Sequence, residues 1–171
     1  MKIFRKTAYS DLGAVMEIVN AAKAYMKRSG IDQWQDGYPS EQNYLNDIEN
    51  GISYVVEEDG EIIALSAVNL EYESYYDNIV EGTWLTDWKY GAIHRIAVKE
   101  NLKGKNIGGF IVNNAVRICL ENGIRALRCD THEDNLSMQR MLTKNGFKRC
   151  GIVFIKNKTL RRVAFERILG L

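Results

Sequence analysis

The chain has 171 residues, 46% apolar and 26% charged, with a formal net charge of +1. These values fit one globular domain spanning residues 1–171 and exclude any overall pull toward nucleic acid or an anionic membrane; no apolar run approaches the ~20 residues of a membrane span. Cys119, Cys129 and Cys150 are odd in number and lack C-x-x-C spacing, which argues against a disulfide framework or a metal site and for a reducing, cytoplasmic compartment.

Ile3 to Lys6 reads as a first strand. Ser10 or Asp11 can cap a helix with apolar positions Leu12, Val15, Val19, Ala22 and Met26, stopping near Ser29-Gly30. The next segment, IDQWQDGYPS, is irregular. Trp34 and Tyr38 stand in it among polar residues, either pinning the loop to the core or walling an acceptor substrate. Ser40 caps a second helix with Tyr44, Leu45 and Ile48 on its buried side, ended by Asn50-Gly51. Ile52–Glu57 and Glu61–Leu70 follow as strands joined at Asp59-Gly60, a strong hairpin signal.

Glu71 to Tyr90 is a polar stretch dense in aromatics: Tyr72, Tyr75, Tyr76, Trp84, Trp88 and Tyr90. Three readings stay open: a satellite cluster under a long loop, the rim of an acceptor site with Tyr72 as a candidate contact, or a contact between two copies of the chain.

From Gly91 to Gly123 the pattern is strand, basic glycine-containing loop, helix. Ala92–Val98 is the strand and Lys99–Gly109 the loop. The helix runs from about Ile107 to Asn122, and Gly123 provides its stop. Amides at a helix start have no partner inside the helix, and the helix dipole places about half a positive charge there. Gly104, Gly108 and Gly109 carry no Cβ, so a diphosphate can approach the backbone, with Lys99, Lys103 and Lys105 beside it. Neither a Walker loop nor a G-x-G-x-x-G fingerprint is present. Alternation along the strand sets Ala92, His94, Ile96 and Val98 on one face and Ile93, Arg95 and Ala97 on the other.

Arg125–Asp130 is the next strand. Asp134 can cap a helix from about Asn135 to Lys144, ended by Asn145-Gly146 with Phe147 packing behind it. Cys150–Ile155 and Arg161–Ile168 close the sheet as two strands turning at Lys156-Asn157-Lys158. The order of elements is βααβββαβαββ.

Lys103-Gly104-Lys105-Asn106-Ile107-Gly108 resembles the acetyl-CoA loop of the GNAT acetyltransferases, (Arg/Gln)-x-x-Gly-x-(Gly/Ala). Lys103 stands for Arg or Gln, and Asn106, which tolerates the left-handed conformation, for the first glycine. Asn135, Met141, Gly146 and Phe147 fall in place in the family's second motif, Asn-x-x-Ala-x-x-Leu-Tyr-x-x-x-Gly-Phe. Met138 replaces the alanine, and Leu142 occupies the position of the tyrosine that often protonates the departing thiolate.

The resemblance implies an α/β (α+β) fold, with a mixed, mostly antiparallel sheet of six or seven strands flanked by helices on both faces. It implies an N-acetyltransferase using acetyl-CoA and no metal, with a small-molecule amine or a peptide as acceptor. By the same resemblance Ile96, Ala97 and Val98 hold the pantetheine arm through backbone atoms. Residues Lys103, Gly104, Lys105, Asn106, Ile107, Gly108 and Gly109 hold the diphosphate, and Asn135 bonds the arm or simply starts its helix. Amine acetylation needs a base, and only two histidines are present. His94 shares the face of Ala92, where some relatives place a catalytic glutamate; His132 follows the next strand, and Asp130 could orient either. The alternative is a non-catalytic CoA-binding sensor, favoured by Leu142.

Overall fold

A computed structural model describes residues 1–155 and 159–170, so the turn expected at Lys156–Lys158 lies outside the described residues. The elements follow the expected order: β1 (Lys2–Lys6), α1 (Leu12–Arg28), α2 (Glu41–Glu49), β2 (Ser53–Glu58), β3 (Glu61–Asn69), β4 (Gly91–Val98), α3 (Ile107–Glu121), β5 (Ala126–Thr131), α4 (Leu136–Lys144), β6 (Lys148–Ile155) and β7 (Leu160–Ile168). The strands form a seven-stranded sheet ordered β1-β2-β3-β4-β5-β7-β6. The β4–β5 pairing is parallel, and the β1–β2, β2–β3, β5–β7 and β6–β7 pairings are antiparallel.

The chain divides into two compact units. The first comprises Met1–Val68 and His94–Asn114. Its β2–β3 hairpin turns at Asp59 (φ 52°) and Gly60 (φ 83°), the two positive φ values that a tight hairpin turn requires. Val15, Ile18 and Val19 of α1 pack with Tyr44 of α2, Val55 and Leu65 of the hairpin and Ala97 of β4. Ser40 caps α2 as expected: its hydroxyl accepts from the Asn43 amide while the Asn43 side chain accepts from the Ser40 amide. At α1 the expectation is corrected. A short 3-10 turn, Tyr9–Asp11, precedes the helix, and Asp11 makes no side-chain cap. Its carboxylate instead receives the Arg5 guanidinium and the Ala8 amide, because a charged partner outcompetes a helix amide for the same oxygens.

The second unit comprises Asn69–Ile93 and Ala115–Leu171. Here β4 pairs with β5 at Gly91↔Leu127 and Ala92↔Arg128. The aromatic stretch is docked on β6 by an isolated antiparallel bridge, Val80↔Ile152. Two glycines permit that approach: a Cβ at Gly82 would lie 1.9 Å from the Cys150 carbonyl oxygen, and one at Gly151 would lie 2.6 Å from that of Val80. Tyr76, Ala92, Val153 and Ala164 form a buried cluster with Tyr75, Trp84 and Tyr90 packed against it. Of the three readings of the aromatic stretch, the satellite cluster describes Tyr75, Tyr76, Trp84 and Tyr90. Tyr72 and Trp88 stand outside it, 69% and 49% exposed.

At α4 a second cap expectation is corrected. The N-cap is Asn135, whose side-chain oxygen accepts from the Met138 amide at 3.2 Å. Asp134 lies one residue too early, and its own amide donates to His132 Nδ1 at 3.1 Å. β6 also begins earlier than expected, at Lys148 rather than Cys150.

Candidate active site

The loop between β4 and α3 belongs to the first unit. The amides of Leu102, Lys103 and Lys105 close turns inside the loop, donating to the carbonyls of Lys99, Glu100 and Leu102. Gly104 (φ 82°) and Asn106 (φ 60°) adopt the left-handed conformation, so Asn106 takes up the backbone geometry that a glycine would supply. The Asn106 carbonyl accepts from the Phe110 amide at 3.1 Å, which starts the helical ladder of α3. The amides of Ile107, Gly108 and Gly109 precede that bond, and by helix geometry they have no acceptor inside α3. A Cβ built at Gly104 would meet nothing within 4 Å, so the loop is open there. This donor set, backbone amides at the positive end of a 15-residue helix, fits a diphosphate.

The loop is anchored to the end of α1. The Arg28 guanidinium pairs with Glu100 at 2.9 Å, and Lys103 Nζ sits 3.0 Å from the centroid of the Tyr25 ring. Lys103 is therefore committed to an aromatic face, and partial burial lowers its pKa below the ordinary lysine value. Lys105 is exposed beside the helix start.

Within β4, Arg95 has φ 52°. A non-glycine residue in the left-handed region interrupts the two-residue alternation of a strand, so the strict face assignment drawn from spacing does not carry through this position. Arg95 reaches α2, where its Nη1 donates to Asp47 Oδ2 at 2.5 Å, and the Tyr38 ring covers its guanidinium at 5.4 Å. Asp47 is buried, and desolvation pushes its carboxyl above the ordinary carboxylate value although Arg95 and His94 both pull it down. His94 thus lies within electrostatic range of Asp47, as does Arg95. Tyr44, one turn before Asp47, is 1% exposed, and its hydroxyl has no hydrogen-bond partner among the described residues. Burial raises the Tyr44 phenol well above its ordinary value. Trp34 packs on the Val15–Leu65 cluster, which makes it a core anchor of its loop. Ala97 is buried in that same cluster, while Ile96 and Val98 are half-buried.

In the second unit, His132 is half-buried and accepts the Asp134 amide at Nδ1. Asn135 spends its side-chain oxygen on the start of α4, the structural role weighed for it above. Asp130 accepts from the buried Tyr76 hydroxyl at 2.7 Å. The Tyr75 phenol is raised above its ordinary value by burial first, then by the nearby Asp130 and Glu73 carboxylates. Tyr72 donates to Asp77. Leu142 is completely buried. Among the described residues no group of three or more His, Cys, Asp or Glu is placed to hold a metal ion, and no helix is long and apolar enough to cross a membrane.

Asp47 was missed from the sequence. The spacing Tyr44-x-x-Asp47 put it on the buried stripe of α2, but a charged residue among Leu45 and Ile48 reads as surface. Nothing local in the sequence links Asp47 to Arg95, which lies 48 positions further along the chain.

The model of the acetyltransferase (GNAT) family matches residues 14–147 of the chain. A GNAT-family acetyltransferase from Streptococcus agalactiae is 32% identical, with a TM-score of 0.89 over 99% of this chain and 96% of that one. The PaiA N-acetyltransferase of Thermoplasma acidophilum, solved in complex with coenzyme A, is 19% identical, with a TM-score of 0.72 over 98% of this chain and 99% of that one. YncA of Salmonella typhimurium, solved with its cofactor acetyl-CoA, is 16% identical, with a TM-score of 0.69 over 99% and 94% of the two chains. The last two share the fold. No curated protein sequence matches the chain.

Proposed function

Because the chain belongs to the acetyltransferase (GNAT) family, we propose that it transfers an acetyl group from acetyl-CoA to the amine of a small molecule or a peptide, by direct attack in a ternary complex. The observation that carries this reading is the left-handed Gly104–Asn106 turn opening onto the start of α3. That turn gives a diphosphate main-chain donors, a positive helix end and room for close approach. Acetyl-CoA, when bound, supplies the activated acyl carbon.

The remaining work falls to this chain. Main-chain atoms of Ile96, Ala97 and Val98 bond the pantetheine amides, and an N–H of the same strand stabilises the negative charge that builds on the thioester oxygen. The acceptor arrives protonated: with an alkylamine pKa of ~10.4, only about one molecule in ~10³ is the free base at pH 7. His94 takes that proton, directly or through water, and the Asp47 carboxylate provides a counter-charge nearby. His132 is the second candidate for this step. Tyr38 and Tyr72 are the candidate acceptor contacts, while Trp34, packed on the core, holds the Tyr38 loop in place.

A non-catalytic CoA sensor is favoured by one observation, the fully buried Leu142 where the family often carries an acidic tyrosine. Two measurements separate the readings. A ligand at 100 times its Kd stabilises by about 2.7 kcal/mol, so acetyl-CoA should raise Tm by roughly 5–11 °C. An enzyme then releases free thiol steadily when a panel of amines and peptides is added. Stabilisation without thiol release supports the sensor. Absence of stabilisation overturns donor binding altogether.

A further inference from the structure

The second unit contains a pocket of about 620 Å³, within the size range of small-molecule sites, that the proposed chemistry does not use except through Tyr72. Its walls include Tyr72, Trp88, Tyr90, Asp77 and Asp87, with Arg128 among the lining residues. Arg128 is 5% exposed. Its guanidinium carbon lies 4.1 Å from the centroid of Trp84 and 4.0 Å from that of Tyr90, so two aromatic faces already hold one cation here.

The charge of Arg128 is balanced internally. Glu166 is completely buried and accepts from Arg128 Nε, the Leu85 and Thr86 amides and the Thr86 hydroxyl. With that pair neutral, the pocket lining carries three carboxylates, Glu71, Asp77 and Asp87, against the single ammonium of Lys89. Glu71, Asp87 and Lys89 make no ion pair among the described residues. A ligand therefore meets negative charge and aromatic faces together. Arg128 adds one further feature: Nε and Nη2 are spent on Glu166 and the Thr86 carbonyl, while Nη1 donates to nothing among the described residues. Nη1 is not one of the buried atoms left without a partner, so it is reachable from solvent and can donate to a ligand oxygen in the cavity.

We infer that this pocket binds a small ammonium compound bearing an oxygen acceptor, with its charge between Asp77 and Asp87, its apolar body on Tyr72 and Trp88, and its oxygen on Arg128. A simple anion is disfavoured by the carboxylates, and a purely apolar ligand leaves both the carboxylates and Nη1 without a partner. An acceptor substrate and a separate effector share this chemistry.

Choline is the probe, because it carries the cation and a hydroxyl but no nitrogen that can be acetylated. Calorimetric titration of the full chain, at constant ionic strength and without any acyl donor, should show saturable choline binding and none for acetate. Asp87→Asn and Trp88→Leu alter exposed side chains, and each should weaken choline about tenfold. Equal binding of choline and acetate, no choline binding, or unchanged affinity in both variants overturns the inference. Ethanolamine, the primary-amine counterpart, identifies the source. If acetyl-CoA converts it to the amide and Asp87→Asn slows that conversion, the occupant is the acceptor; if it binds and is not acetylated, the occupant is an effector. Choline binding needs no acetyl donor, so failure of the pocket and failure of the acyl-transfer reading are seen separately.

Discussion

Gly108→Glu separates the stability of the fold from donor binding by giving the two opposite signs. Gly108 is the second residue of α3 and is absent from the positive-φ positions, so its backbone accepts an ordinary residue. Glycine in a helix is worse than a straight-chain residue by roughly 0.5–1 kcal/mol, and a carboxylate in the first turn gains about 0.3–1 kcal/mol from the helix dipole. The variant without ligand should therefore gain about 1 kcal/mol, or roughly 2–4 °C in Tm for a chain of this length. Donor binding should move the other way. A carboxylate about 4 Å from a phosphate repels it by about 1 kcal/mol in water and about 4 kcal/mol at an effective dielectric of ~20, which corresponds to roughly 5-fold to 10³-fold weaker binding. Calorimetry with CoA measures the affinity, and thermal unfolding with and without CoA measures both signs at once. Unchanged CoA affinity in a folded, stabilised variant refutes the assignment of this helix start as the diphosphate site.

His94→Ala should lower kcat by about 10²–10⁴-fold near neutral pH with CoA affinity unchanged, and normal turnover between about pH 6 and 9 moves the base elsewhere. Glu166→Gln replaces one acceptor oxygen with an NH₂ group facing donors from Arg128, Leu85 or Thr86. Breaking a buried pair in this way costs about 3–5 kcal/mol, so Tm should fall by roughly 6–20 °C, and a fall under about 2 °C refutes the network. Asp47→Asn tests the burial of that carboxylate through pH. Because burial holds the folded-state value above the unfolded one of ~4, wild type carries a contribution that is complete below ~4 and lost as pH rises through the folded value. The stability of the Asn variant relative to wild type should accordingly rise with pH above ~4. A pH-independent difference in urea unfolding contradicts a buried, raised Asp47.

The order of elements was legible because each boundary carried its own chemistry. The Ser40 hydroxyl with Asn43 three residues on, the Asp59-Gly60 turn and the glycine stops are local signals, and the structure uses them where the letters stand. The caps that were misread had a competitor beyond the local window. Asp11 is drawn away by Arg5, which sits on β1 and pairs also with Glu57 of β2. At α4 two adjacent residues could each cap, and only the chain path selects Asn135. The site was half legible. Gly104 and Asn106 announce the turn through their conformational tolerance, but a left-handed arginine inside a strand has no such signature. Arg95 is that residue, and it is the partner of Asp47.

Leu142 bears on mechanism through the relative cost of two proton transfers. Its side chain is fully buried, so it is part of the core rather than an empty place for an acid beside the thiol. A tyrosine there would first have to displace packed neighbours, and overpacking of that kind costs about 1–3 kcal/mol. The acid is also the smaller need. A thiol of ordinary pKa ~8.5 leaves as thiolate at pH 7 at a cost of about 2 kcal/mol relative to the protonated form. Freeing an alkylamine of pKa ~10.4 from its proton costs about 4.6 kcal/mol at the same pH. A chain that keeps a base and forgoes the acid therefore retains the larger of the two contributions. That ordering makes His94 with Asp47, rather than Leu142, the place where loss of a side chain should be felt most in turnover.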